Sequence, residues 1–148
     1  MKHLLSSGLI VALTLTFGLS ISTAEEFDLS KTRVPVDQLV AAKALKNPFQ
    51  PTPENIAKGK EIYLGKGTCF TCHGNEGKGD GPAGAALSPS PRNFTNPEFH
   101  TIRTEGEMFW VVKNGSPGTG MISYTPAIIS EDEAWLAILF EGSLGVSK

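Results

Sequence analysis

Cys69-Phe70-Thr71-Cys72-His73 spells C-x-x-C-H, the signature for covalent attachment of c-type haem. Two thiols three positions apart reach the two vinyl groups on one edge of a porphyrin and close thioether bonds there. The adjacent imidazole then lies beneath the iron as its proximal ligand. Other chemistry is open to the same residues. A thioredoxin-like redox pair needs a strand-to-helix context in a βαβ unit, and the flanking pattern lacks it. A structural zinc site needs four ligands; Cys69, Cys72 and His100 would supply them only with a further group at a contrived spacing. A disulfide across two intervening residues closes a small, strained ring that contributes little. Haem attachment is therefore the expected chemistry, with Cys69, Cys72 and His73 as its residues.

A haem iron takes a sixth ligand or leaves that position open. Met108, Met121 and His100 are the candidates. Met108 stands beside Phe109 and Val112 in an amphipathic stretch, where a methionine fills core. Met121 closes the small-residue run N-G-S-P-G-T-G-M. It has little core to fill there, and the loop is free to bring its sulfur to a flat ring. His100, giving a bis-histidine site, is the lesser alternative. Met/His ligation raises the reduction potential. It also closes the iron to substrate, so the expected role is one-electron transfer by a protein that is not an enzyme.

These residues need helices to hold them. Residues 36–46 place Val36, Leu39, Val40 and Ala44 on one helical face, and Asn47-Pro48 ends the run. Thr52 caps a second helix over 53–66, with Pro53 at its first position and Ile56, Gly59, Ile62 and Tyr63 along one stripe. Thr104 with Glu107, and Ser130 with Glu133, form capping boxes. The first opens a helix ending at Asn114-Gly115, the second a final helix with Trp135, Leu136, Ile138, Leu139 and Phe140. Residues 68–100 are rich in Gly, Pro and Ser. A loop of that length without secondary structure is unusual in a compact domain, and wrapping a cofactor would organise it. No stretch alternates at period two, so the expected fold class is all-α.

The chain has 148 residues, 13 Lys+Arg against 15 Asp+Glu, and 40% hydrophobic residues. That balance argues against extensive disorder. The absence of a basic block argues against nucleic-acid binding. Residues 1–24 read as a secretory signal peptide: a basic start, an apolar run, then Ser22-Thr23-Ala24 before the cut. An uncleaved anchor is the alternative, but the run is short and diluted for a bilayer span. No stable membrane insertion is expected after cleavage. The predicted organisation is a signal peptide over 1–24, an extension with a short helix over 25–51, and a haem domain over 52–148.

The chain resembles a bacterial class I, mono-haem cytochrome c. The resemblance rests on Gly59-Lys60-Glu61-Ile62-Tyr63, the haem motif, Gly77-Lys78-Gly79-Asp80-Gly81-Pro82, Pro91-Arg92-Asn93-Phe94, residues 114–121 and the Trp135 helix. It implies a cytochrome c-like fold around one covalent haem c, with first and last helices crossing. Gly59 and Tyr63 match the crossing face of the first helix, and Trp135 and Leu139 that of the last. It implies that Pro82 gives its backbone carbonyl to the haem histidine. Arg92 would pair with a haem propionate or stand exposed, and Trp110 would pack on the haem or in plain core. Leu139-Phe140-Glu141-Gly142 departs from the family's usual Tyr-x-Arg.

The expected protein is a periplasmic electron carrier, a monomer with redox-protein partners. A haem subunit of a larger respiratory or denitrifying oxidoreductase is the alternative, and an open-site gas-binding or peroxidatic protein a third. Residues 81–91 and 114–130 carry no charged side chain, so a docking face built from them would be weakly charged.

Overall fold

A computed structural model describes residues 28–146; the stretch read as a signal peptide, 1–24, lies outside them. The described residues form helices and loops without strands. In chain order the helices are α1 (Val36–Ala44), α2 (Pro53–Leu64), α3 (Phe70–His73), α4 (Pro97–Ile102), α5 (Glu105–Asn114) and α6 (Glu131–Leu144), with a 3-10 turn at Gly84–Ala86.

Local chemistry sets the helix starts. Thr52, Thr104 and Ser130 each accept a hydrogen bond from the backbone three residues on. Both expected capping boxes form, with Glu107 and Glu133 returning bonds to the cap N–H groups. This satisfies donors that a helix end otherwise leaves open. Residues 68–100 are not the unbroken loop expected: they carry α3, the 3-10 turn and the start of α4. Asn96 caps α4 by accepting from the Glu98 N–H, and Pro97 starts it.

Helices α2 and α6 cross at the centre of the fold. Gly59 lies so close to the Leu136 carbonyl that a Cβ there would sit 2.0 Å from its oxygen. Tyr63 meets Phe140 edge-on, with ring centroids 5.1 Å apart. The α6 residues at the crossing are thus Leu136 and Phe140, one position beyond Trp135 and Leu139. Trp135 instead stacks on Phe109 of α5, 4.0 Å between centroids and nearly parallel. Tyr63, Ile129 and Ile138 are fully buried in this core.

Helix α1 differs from expectation. Val36 and Val40 are 85% and 82% exposed, and the buried position is Ala42. Its backbone rests on Gly106 of α5, where a Cβ would meet the Ala42 oxygen at 2.1 Å. Contact through two small residues lets backbones approach and turns the larger apolar side chains outward. Trp110 donates from Nε1 to Gln38 Oε1 at 2.8 Å, which ties α5 to α1.

Candidate cofactor site

The C-x-x-C-H segment lies on the short helix α3. The loop after it is built on its backbone. The Gly79 N–H donates to the His73 carbonyl at 2.8 Å, Gly81 to Cys72 at 3.1 Å and Ala83 to Thr71 at 2.9 Å. Gly81 is required by this approach: a Cβ would come within 2.5 Å of the Phe70 and Thr71 oxygens. Tyr63 of the core donates to the Gly74 carbonyl at 2.9 Å and anchors the segment from below.

His73 is oriented by the chain that returns past it. Its Nδ1 pairs with the Arg92 carbonyl at 3.0 Å. A carbonyl only accepts, so Nδ1 carries the proton and Nε2 keeps its lone pair. Phe94 stacks on the ring at 4.6 Å. Burial holds the imidazole below its ordinary pKa, with the Arg92 bond opposing. A neutral, oriented imidazole with Nε2 bare is the form that ligates iron. Pro82 does not play the expected part. The carbonyl at His73 is that of Arg92, and Pro82 is exposed and lies off the cavity described next. Gly81 and Gly84 press against α3, and the chain that returns to His73 does so ten residues beyond Pro82.

Between α3 and the 114–121 loop lies a partly open cavity of about 1210 Å³, solvent-open part included. Cys69, Cys72 and His73 form part of its wall, and Met121, Met108 and Tyr124 another part. The Met121 loop is tightly closed. The Ser116 N–H donates to the Met121 carbonyl at 2.9 Å, and the Met121 N–H to Thr119 Oγ1 at 3.1 Å. Met108 reaches the same cavity but is also a buried core residue. His100 does not reach it: its Nε2 pairs with the Phe94 carbonyl at 2.7 Å.

Both cysteines are free thiols. Burial, reinforced by Glu141, pushes the Cys69 thiol up to about 12. Among the described residues no three His, Cys, Asp or Glu side chains gather as a metal site. The donor set fits haem c: two free thiols beside an oriented imidazole, facing one mostly apolar cavity.

The extension completes the wall. Thr32, Arg33 and Val34 line the cavity. Arg103 Nη2 donates to the Leu29 carbonyl at 2.6 Å, and Arg92 Nη2 to the Lys31 carbonyl at 3.1 Å. Thr32 Oγ1 donates to Glu107 Oε1 at 3.3 Å. Arg33, Arg92 and Arg103 all line the cavity. Burial, then Arg33 and Arg103, lowers the Arg92 guanidinium to about 10. Arg92 therefore belongs to a basic wall with two further arginines that spacing alone did not single out.

A helical chain wrapped on a C-x-x-C-H helix, with an open cavity above the motif, defines a c-type cytochrome: a haem c electron-transfer protein. Residues 54–140 match the family model for cytochrome c oxidase, cbb3-type, subunit III, and the chain belongs to that family. It is also similar to a chain of the Kuenenia stuttgartiensis reducing HAO-like protein complex Kustc0457/Kustc0458, with 33% identity and a TM-score of 0.57. The match covers 66% of this chain and 46% of that one, so this chain spans less than half the relative's length. No curated protein matches the sequence.

Proposed function

We propose that the protein is a periplasmic one-electron carrier of the bacterial class I, mono-haem type, with His73 and Met121 as axial ligands. A single haem c would be held through Cys69 and Cys72, and when bound it supplies the ferrous–ferric couple. The observation that carries this reading is the placement of the C-x-x-C-H side chains and Met121 around one cavity, with His73 Nε2 left bare by the Arg92 carbonyl. The chain's own part is to orient the imidazole, hold the Met121 loop closed and exclude water with Phe94, Phe99 and Val112. Keeping both ligands through each cycle would keep reorganisation small. The wall of Arg33, Arg92 and Arg103 suits the two haem propionates, whose charge would offset the repulsion among the guanidiniums.

Residues 1–24 are proposed as the export signal and 52–148 as the cytochrome domain, with 25–51 folding over the haem edge. No helix among the described residues is long and apolar enough to cross a membrane. The protein is proposed to work as a monomer that meets redox-protein partners transiently. The similar Kuenenia chain belongs to a complex, and that favours a second reading: a haem subunit of a larger respiratory or denitrifying oxidoreductase. Co-purification with a large partner at high salt would select the second reading. A free monomer in the periplasmic fraction would select the first.

The test is the matured protein itself. Mass spectrometry is expected to show a covalent haem adduct on the Cys69–Cys72 peptide. Met121→Ala is expected to remove the sulfur-to-iron charge-transfer band and let the reduced protein bind carbon monoxide. An unaltered spectrum in that variant would refute the Met121 assignment, and absence of the adduct would refute the whole reading.

A further inference from the structure

Helix α6 carries a carboxyl where a core helix ordinarily carries an apolar side chain. Glu141 is 5% exposed and lines the cavity. No hydrogen bond or ion pair joins it to another described residue, and its oxygens are not among the fully enclosed unpartnered atoms, so they face the cavity. The other buried carboxyl of the cavity, Glu107, is held by the Thr104 N–H at 3.0 Å, by Thr32 and by Arg103. Glu141 has no such set. The Tyr63 hydroxyl, which feels the Glu141 charge, donates to the Gly74 carbonyl instead. An ionised carboxylate without donors in a low-dielectric wall is costly, so its charge state is set by whatever charge the cavity holds.

We propose that Glu141 binds one proton when the protein accepts an electron and releases it when the electron leaves. This rests on the electron-carrier reading above. One electron arriving from the donor lowers the cavity's charge by one. The Glu141 carboxylate then faces less positive charge and takes a proton from solvent, and oxidation by the acceptor reverses both transfers. The chain would thus carry a proton with its electron over a window of pH.

The groups that face Glu141 leave it as the responsive one. From α2 comes Tyr63, whose phenol burial pushes upward, out of the physiological range. From the C-x-x-C-H segment come Cys69 and Cys72, which as thioethers would no longer titrate, and His73, which with haem bound would be engaged through both nitrogens. Across the cavity stand Arg33, Arg92 and Arg103, and Glu107, paired with Arg103. At the end of α6, His100 packs on Gly145 and is bonded to the Phe94 carbonyl. Burial alone raises the Glu141 carboxyl to about 8.

The experiment is potentiometry of the haem-loaded protein as a function of pH, for the wild type and Glu141→Gln. The wild-type midpoint is expected to fall with rising pH in an interval spanning the raised value of about 8. The limiting slope is about 59 mV per pH unit, one proton per electron. Glu141→Gln is expected to be flat there, and Glu141→Asp to keep a slope. The reduced-minus-oxidised infrared spectrum of the wild type should show a protonated carboxyl gained on reduction, a measurement that needs no variant. A reversible couple with a flat wild-type profile and no carboxyl band would overturn the proposal while leaving the carrier reading intact. A slope that survives in Glu141→Gln would overturn it too. A protein without a covalent haem or a reversible couple would sink both.

Discussion

Two Gly→Ala substitutions, one in each crossing helix, should move stability in opposite directions. At Gly59 an added Cβ would lie 2.0 Å from the Leu136 oxygen, 2.8 Å from its carbonyl carbon and 3.1 Å from Phe140 Cβ. The obstacle is helix backbone and cannot rotate aside. Relief requires α2 and α6 to separate by on the order of 1 Å to reach ordinary contact, which loosens the Tyr63–Phe140 pair beneath. Overpacking of this kind costs about 1–3 kcal/mol, and more when backbone must move. The helix-propensity gain of Ala over Gly returns at most about 1 kcal/mol. The net is a loss of about 2 kcal/mol, or some 8 °C in Tm at ~4 °C per kcal/mol for a domain of this size. Gly142 sits in α6 with no atom within 4 Å of its would-be Cβ. Only the propensity gain applies there, so Gly142→Ala should raise Tm by a few degrees. Thermal unfolding of the matured protein, followed by far-ultraviolet circular dichroism and the haem absorption band, reads both. A Gly59→Ala protein as stable as the wild type would mean that the helices do not cross at this closest point.

Ser130→Ala removes the side chain that accepts the Glu133 N–H at 3.1 Å; a loss of about 1 kcal/mol is expected, readable as a lower denaturant midpoint at unchanged slope. If docking uses the uncharged loops 81–91 and 114–130, where Ile122 is 61% exposed, electron-transfer rates should fall only modestly from low to high salt. A steep loss in stopped-flow measurements would show that a charged face is used instead.

What was legible in the sequence is what is local. The haem motif, the Thr52, Thr104 and Ser130 caps and the apolar stripe of α2 are each written within a few residues, and the caps and the stripe have their expected places in the fold. Helix α4 carried its start signal in Asn96-Pro97, but six residues are too few to show a period. The α1 face was misjudged because Ala42 and Gly106, which make the contact, are too small to leave a hydrophobic pattern. The partner of His73 is a backbone carbonyl, and any residue type supplies one; only the path of the chain selects Arg92 over Pro82. Arg33, Arg103 and Glu141 look like ordinary surface charges in sequence. Their place on the cavity wall comes from segments that meet only in the tertiary fold.

Leu29, Lys31 and Thr32 stand near one end of the described chain, and Ala137 and Glu141 near the other; they help close or line the same space. No fragment much shorter than the stretch from residue 29 to 141 contains that enclosure. Contacts this distant in sequence are paid for late, after the intervening loops are ordered. The chamber therefore depends on both segments, and removing residues 29–34 or 137–141 would open it from a different side.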